Sequence, residues 1–431
     1  MNPKEKRLDD LKKLMDLYRS GRLELPARGD NVNNHIHTTY SFSPYSPTLA
    51  VYTAWKNGLA TAGIMDHDSV GGLREFIEAG QIIGLPITCG FELRCSFEGT
   101  PFEGRRINNP DQNSVAYLAM HGIPHDKINE AEAFLKPYRE KRNQRNRLMV
   151  EKLNQYIEPS GLHLDYEVDV VPLSLASEGG SITERHLLFA LAGKMMEQVA
   201  PGPELVEFLK NHFNIDTSGG SLDIDFSHRS SCCSDSCCSD EGPSPQELFT
   251  YRYHLLGVLK GYFVEAFYID ATEELPSYEE FIALSKSLGA IPAYAYLGDV
   301  GTSVTGDKRS QAFEDAYLDE LVPFLKETGF EAITFMPTRN TSEQCQRLMK
   351  LCDKYQLFQI CGEDINSPFQ SFVCKALEQE EYKHLIDAAW ALIGHEHSEE
   401  GMFAAGTQWA DWPVEQKVEY FAEIGRSLNR Q

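Results

Sequence analysis

Residues 31–41 read NVNNHIHTTYS, residues 61–68 read TAGIMDHD and residues 86–93 read PITCGFEL. Each is a short β-rich run that ends in polar side chains. Helical spacing fills the gaps, near 47–58 and near 71–83. Strand–helix–strand alternation of this kind predicts parallel βαβ units. The pattern stops and later resumes. From about residue 246, the runs AIPAYAYLG, EAITFMP and LFQICGEDI alternate with helical patterns near 277–288, 311–327 and 342–355. Residues 122–245 between the two halves read as helices, among them a long basic helix from Pro137 to Ile157 and another over Ile182–Val199. The expected fold class is therefore α/β: a barrel-like body whose halves, 31–121 and 246–366, are separated by a helical insertion over 122–245. Leu8, Leu11, Leu14 and Tyr18 space an N-terminal helix within residues 1–30. Residues 367–431 are expected to be a helical C-terminal extension.

Composition narrows the class. The chain has 431 residues, 42% hydrophobic and 24% charged, which are ordinary globular values and enough to bury a large core. The formal net charge of −24 argues against general nucleic-acid or anionic-membrane binding, since both rest on Lys and Arg meeting phosphates. No window approaches the ~18 apolar residues of a membrane span. The opening MNPKEKRLDDLKK lacks the apolar stretch of a secretory signal. Ten cysteines in that context read as reduced thiols, and a cytoplasmic location is expected.

In a parallel α/β body, chemistry gathers at the carboxyl ends of strands. The first run ends in His35-Ile36-His37, the second in Asp66-His67-Asp68, the third in Gly90-Phe91-Glu92 and the last in Gly362-Glu363-Asp364-Ile365-Asn366. Period-two alternation points both imidazoles of the first run to one face. A lone His near a strand end is more often a satisfied polar residue than a ligand. His, Asp and Glu at four strand ends make up an N/O metal site.

This set resembles the PHP family, the polymerase and histidinol phosphatase superfamily of metal-dependent phosphoesterases. The HxH motif is His35 and His37 followed by Thr38, Thr39, Tyr40 and Ser41. The TDH-like motif is Met65-Asp66-His67-Asp68 and the Gly-x-Glu motif is Gly90-Phe91-Glu92. An Arg-x-x-Arg helix, Arg142-Asn143-Gln144-Arg145, and an Arg-His pair, Arg185-His186, resemble the nucleotide-phosphatase branch. The resemblance implies a distorted (β/α)7 barrel and one metal site of His35, His37, Glu92 and Asp364. His67 and His186 remain from neighbouring sites. Asp66, His67, His186 and Asp364 are the expected catalytic residues. Arg142, Arg145, Arg185, Tyr296 and Asn366 are the expected substrate contacts. Phe42, Tyr296 and Asn366 stand where relatives carry Asp, His and His. One or two divalent cations, of Mn, Zn, Fe or Mg, are therefore expected in place of a full trinuclear cluster.

Several features have a plainer reading. Arg142, Arg145, Met149, Leu153 and Tyr156 lie three or four apart, so the arginines either face a substrate or form a solvated basic turn. The Cys232-Cys233 and Cys237-Cys238 pairs match no standard zinc spacing and read as a loop. His395-Glu396-His397 follows Gly394 and reads as a surface loop. His121 or His125 is a candidate replacement ligand. The expected function is hydrolysis of a small phosphorylated metabolite by metal-activated water. The alternatives are a regulatory relative that binds such a ligand without turnover, and a hydrolase of amides, since fold does not decide chemistry.

Overall fold

The computed structural model describes residues 2–224, 226, 243–300 and 312–429. Seven strands form one sheet in sequence order: β1 (Val32–Ile36), β2 (Thr61–His67), β3 (Ile87–Ser96), β4 (Val115–His121), β5 (Ile291–Ala295), β6 (Ala332–Phe335) and β7 (Phe358–Cys361). The sheet curls until its edges meet. Ile36 bridges Ile365 in parallel, His37 N–H donates to the Ile365 carbonyl at 3.0 Å, and Ile365 N–H donates to the His35 carbonyl at 3.1 Å. The result is a seven-stranded barrel, the barrel-like body that the alternation predicts.

Six strands run parallel to one another and β4 runs against both neighbours. Residues 97–114 link β3 to β4 without a helix, and a parallel pair needs a crossover of a dozen or more residues, usually helical. The chain therefore turns back on itself. This reversal carries His121 to the opposite mouth of the barrel from His67 and Glu92. Neither His121 nor the following His125 joins the strand-end cluster, so the expectation that one replaces a missing ligand there is corrected.

The strands are buried almost throughout, because helices cover the outside. The helices α1 (Pro3–Arg19), α2 (Pro47–Lys56) and α3 (Leu73–Ile83) pack beside β1–β3. Local chemistry sets their starts. The Ser46 hydroxyl accepts from Leu49 N–H, with Pro47 in the first turn of α2. The insertion contains α4 (Ile128–Ile157), α5 (Glu184–Gln198) and α6 (Pro203–Phe213). Its apolar core also takes in Tyr251, Leu255, Leu259, Phe263 and Phe267 of α7 (Pro245–Phe267). The helical body thus runs past residue 245, where the sequence pattern places the second half of the barrel.

The second half follows with α8 (Tyr278–Leu288), α9 (Leu318–Thr328) and α10 (Ser342–Tyr355). Two helices close the chain, α11 (His384–Glu396) and α12 (Val414–Leu428), and they pack on the barrel through Trp390, Leu392, Phe421 and the apolar faces of β5–β7. His395 and Glu396 are buried at the end of α11 and do not lie in a surface loop. Gly394 does not break the helix. It is the contact point with α12, where a Cβ would stand 1.9 Å from the Phe421 carbonyl oxygen. The Cys232–Cys238 segment lies outside the described residues. No helix among the described residues is long and apolar enough to cross a membrane.

Candidate functional site

The carboxyl ends of β1, β2, β3 and β7 meet at one mouth of the barrel. Register does the placing. His67 pairs with Glu92 across β2 and β3, and the Ile36–Ile365 bridge sets Asp364 beside His37. Glu92 spans two imidazoles, with Oε1 3.1 Å from His35 Nε2 and Oε2 3.2 Å from His67 Nδ1. Asp364 Oδ1 lies 3.1 Å from His37 Nε2. Ligand atoms of His35, His37 and Asp364 all fall within 4.8 Å of one another, and so do those of His37, His67 and Glu92. His37 belongs to both groups. Its Nε2 is buried and makes no aligned hydrogen bond, although a carboxylate oxygen stands beside it. A buried imidazole nitrogen without a hydrogen bond, beside further imidazole and carboxylate groups, fits a cation site.

The protonation states of His67 and Asp364 agree with that fit, whereas at His35 burial is outweighed by Glu92, which raises the imidazole above its ordinary value. Burial, with the charge of nearby His37, holds His67 well below the usual histidine range. At neutral pH it is the neutral imidazole that ligates metals. Burial opposes ionisation of Asp364, but the neighbouring His37 and His35 outweigh it and keep the carboxyl well below its ordinary range.

Asp66 is placed differently from the expectation. Its carboxylate accepts from Thr38 N–H, Thr38 Oγ1 and Ser41 Oγ, each at 2.6 Å. Ser41 Oγ in turn lies 3.4 Å from His37 Nδ1. Asp66 therefore fixes the turn after β1 and, through Ser41, the His37 ring. It is a positioning residue. His186 is also displaced from the expected role. Its Nδ1 accepts from Thr183 N–H at 3.0 Å, which caps α5, and its ring meets the Phe42 ring edge-on at 5.0 Å. It belongs to neither metal-competent group.

A cavity of about 230 Å³ opens above the cluster. His35, His67, Glu92 and Asp364 form its floor, and Phe42, Leu188 and Val264 are among its apolar walls. Arg142, Arg185, Tyr296 and Asn366 are among its lining residues. Asn366 donates from Nδ2 to Asp364 Oδ1 at 2.5 Å, and the Tyr296 hydroxyl donates to Asp315. The donor groups of both side chains thus go to carboxylates. Arg145 does not reach the cavity wall. It donates to Glu184 and Glu274, each at 2.7 Å, and to the Ile269 carbonyl at 2.7 Å. Arg142 is held by Asp68 and by Glu184 at 2.8 Å.

Sequence reasoning missed Arg94, Glu184 and Glu274. Arg94 donates to Glu274 at 2.5 Å and lies 3.6 Å from Glu184. Its place two residues after Glu92, on the same face of β3, was the available signal. Lys260 and Arg339 also line the cavity, and no local pattern marks them.

No family model matches the chain. Over 65 residues it is 32% identical to a 5′–3′ exoribonuclease of Haemophilus influenzae. That stretch is 15% of this chain and about a quarter, 24%, of the relative. A solved chain from Bifidobacterium adolescentis, provisionally named a metal-dependent phosphoesterase, aligns with a TM-score of 0.50. The identity is 20%, and the alignment covers 83% of this chain and 96% of that one. An amidohydrolase of Chromobacterium violaceum, solved with sulfate and no metal, aligns over 80% of this chain and 90% of its own. Its TM-score is 0.49 at 16% identity. At 20% identity the property shared with the Bifidobacterium chain is the fold.

Proposed function

We propose that the chain is a metal-dependent phosphoesterase that acts on a small phosphorylated metabolite. The observation that carries this reading is the pair of overlapping groups, His35–His37–Asp364 and His37–His67–Glu92, at the mouth of the barrel. His35, His37, His67, Glu92 and Asp364 would hold one or two divalent cations. A cation bound there supplies Lewis-acid polarisation of a phosphoryl oxygen and a water acidic enough to ionise near neutral pH.

The remaining steps belong to the chain itself. Among the described residues four cationic side chains line the cavity, Arg142, Arg185, Lys260 and Arg339, and four carboxylates, Glu92, Asp111, Glu184 and Asp364. These two sets balance, so a bound divalent cation adds positive charge to them, which favours an anionic ligand. Guanidinium groups match phosphate in two-pronged fashion, and Arg142 is held in place by Asp68 and Glu184. Phe42, Leu188 and Val264 exclude water from the walls. The cavity, about 230 Å³, lies below the usual range for ligand pockets, which favours a small ligand. The phosphoesterase name of the Bifidobacterium neighbour, the exoribonuclease name of the partial relative and the PHP-like motifs all support phosphate-ester chemistry.

One observation favours a second reading, in which the site binds a phosphometabolite without turnover. Asn366 and Tyr296 stand where the resembled family carries histidines, and they donate to Asp364 and Asp315, so neither position supplies an imidazole ligand. Elemental analysis and a substrate panel on one preparation separate the readings. The panel holds phosphomonoesters, phosphodiesters, a 5′-phosphorylated oligonucleotide and amides. Hydrolysis of a small phosphoester after Mn²⁺ or Zn²⁺ addition is expected. Tight binding with no turnover selects the second reading, and a metal-free, inert protein refutes the first.

A further inference from the structure

Three metal-competent side chains also converge at a place the proposed chemistry does not use. Cys89 lies in β3, three residues before Glu92, so about 10 Å away along the strand and on the opposite face. Glu396 is the last residue of α11, and its side chain is fully buried. His125 follows the reversed strand β4. Cys89 Sγ, a His125 ring nitrogen and a Glu396 carboxylate oxygen lie within 4.8 Å of one another.

We propose that Cys89, His125 and Glu396 form a second, structural cation site of the zinc class, with His397 beside it as a fourth ligand position. Thiolate, imidazole and carboxylate are the sulfur, nitrogen and oxygen ligands of zinc, whereas magnesium and calcium take oxygen. Bond lengths of about 2.0–2.3 Å put tetrahedral ligand atoms roughly 3.3–3.8 Å apart. Small side-chain movements reach that from the present spacing. The His397 ring lies 5.1 Å from the His125 ring, centroid to centroid.

The plain alternative is a buried His125–Glu396 ion pair, and the geometry speaks against it. Nε2 and Oε2 stand 3.4 Å apart, yet both are buried and neither makes a hydrogen bond among the described residues. The other carboxylate oxygen of Glu396 is already used, accepting from Cys89 N–H at 2.7 Å. A carboxylate so fixed, with its second oxygen bare and facing a bare imidazole nitrogen and a thiol, is arranged as a ligand. A bound ion would tie α11 to β3, the strand that carries Glu92, and to the segment after β4.

Cobalt tests this without reference to activity. The candidate active site offers only nitrogen and oxygen, so a thiolate-to-cobalt charge-transfer band in the near ultraviolet reports on a cysteine site. The full chain is loaded with Co²⁺ or Zn²⁺, dialysed and analysed beside Cys89→Ser, His125→Gln and His35→Gln. His125 is partly exposed, so its variant should fold even if Cys89→Ser does not. The wild type and His35→Gln should show the band. Cys89→Ser and His125→Gln should lose it, together with one zinc equivalent. Absence of the band in the wild type overturns the proposal. So does a folded His125→Gln protein with an unchanged band and zinc count, which would assign the band to another thiol.

Discussion

Asp66 and Glu92 are both carboxylates at the site, but they work through different atoms. Glu92 faces His35 and His67, whereas all of the contacts of Asp66 go to Thr38 and Ser41. Loss of a direct ligand lowers the number of ions held, while loss of a residue that orients a ligand lowers affinity by about 10–100-fold. Metal titration should therefore split them. Glu92→Gln and Asp364→Asn should lower stoichiometry with the barrel still folded. Asp66→Asn should keep stoichiometry at saturating metal and bind more weakly, with a stability cost of about 1–3 kcal/mol. Equal stoichiometry in all three variants would remove Glu92 and Asp364 from the ligand set. Glu314 gives a pH signature. Burial pushes its carboxyl up to about 7, and its Oε1 accepts from Tyr294 Oη at 3.2 Å and Leu297 N–H at 2.8 Å. The folded state thus holds this proton more tightly than the unfolded chain does. The stability it contributes is complete at acid pH, below the ordinary carboxyl range, and is lost as pH rises through about 7. Glu314→Gln keeps the shared acceptor and cannot ionise. Melting temperatures at pH 6 and pH 8 should differ less in the variant than in the wild type.

The strand ends were legible because their signal is local. His35-Ile36-His37 needs only the two-residue period of a strand, and Glu92 needs only its place at the end of β3. The direction of β4 was not read, because it depends on the link at 97–114. That link reads FEGTPFEGRRINNPDQNS, rich in Gly, Pro and Asn, and has no helical spacing. The end of α11 was misread for a related reason. Glycine in a sequence marks either a stop or a close approach, and only the packing partner says which. At Gly394 the partner is the α12 backbone, and at Gly425 of α12 a Cβ would stand 2.1 Å from the Trp390 carbonyl oxygen. Gly394→Ala must part the two helices. It should cost about 1–3 kcal/mol or more in chemical denaturation. Gly257 lies inside α7 with nothing within 4 Å of a Cβ, so Gly257→Ala should instead stabilise by roughly 0.5–1 kcal/mol. A neutral Gly394→Ala would mean that the close crossing is not required.

The barrel and the insertion have separate apolar cores, and a buried ion network fastens one to the other beside the cavity. Arg94 comes from β3, Arg142 and Arg145 from α4, Asp68 from the turn after β2, Glu184 from α5, and Glu274 from the segment between α7 and α8. Arg145 and Glu274 are 129 residues apart. A distance of that kind explains why the stripe on α4 could be read as inward-facing while its partners could not. Helical spacing tells which face is buried and is silent on what meets it. The network makes Glu184 the shared anion of three guanidinium groups. Against the cost of burial, those three guanidinium groups hold its carboxyl well below the ordinary range. Breaking a buried pair by removing one partner typically costs about 3–5 kcal/mol, because the charge left behind has no compensation. Glu184→Gln should show a loss of that order while its metal count stays that of the wild type, since Glu184 belongs to neither ligand group. The loss should also be uneven in space. Amide hydrogen exchange should quicken first in α5 and α7, which share the insertion core, and later in β1–β3 of the barrel. Uniform acceleration across both cores would mean that the network stabilises the fold as a whole and does not fasten the insertion to it.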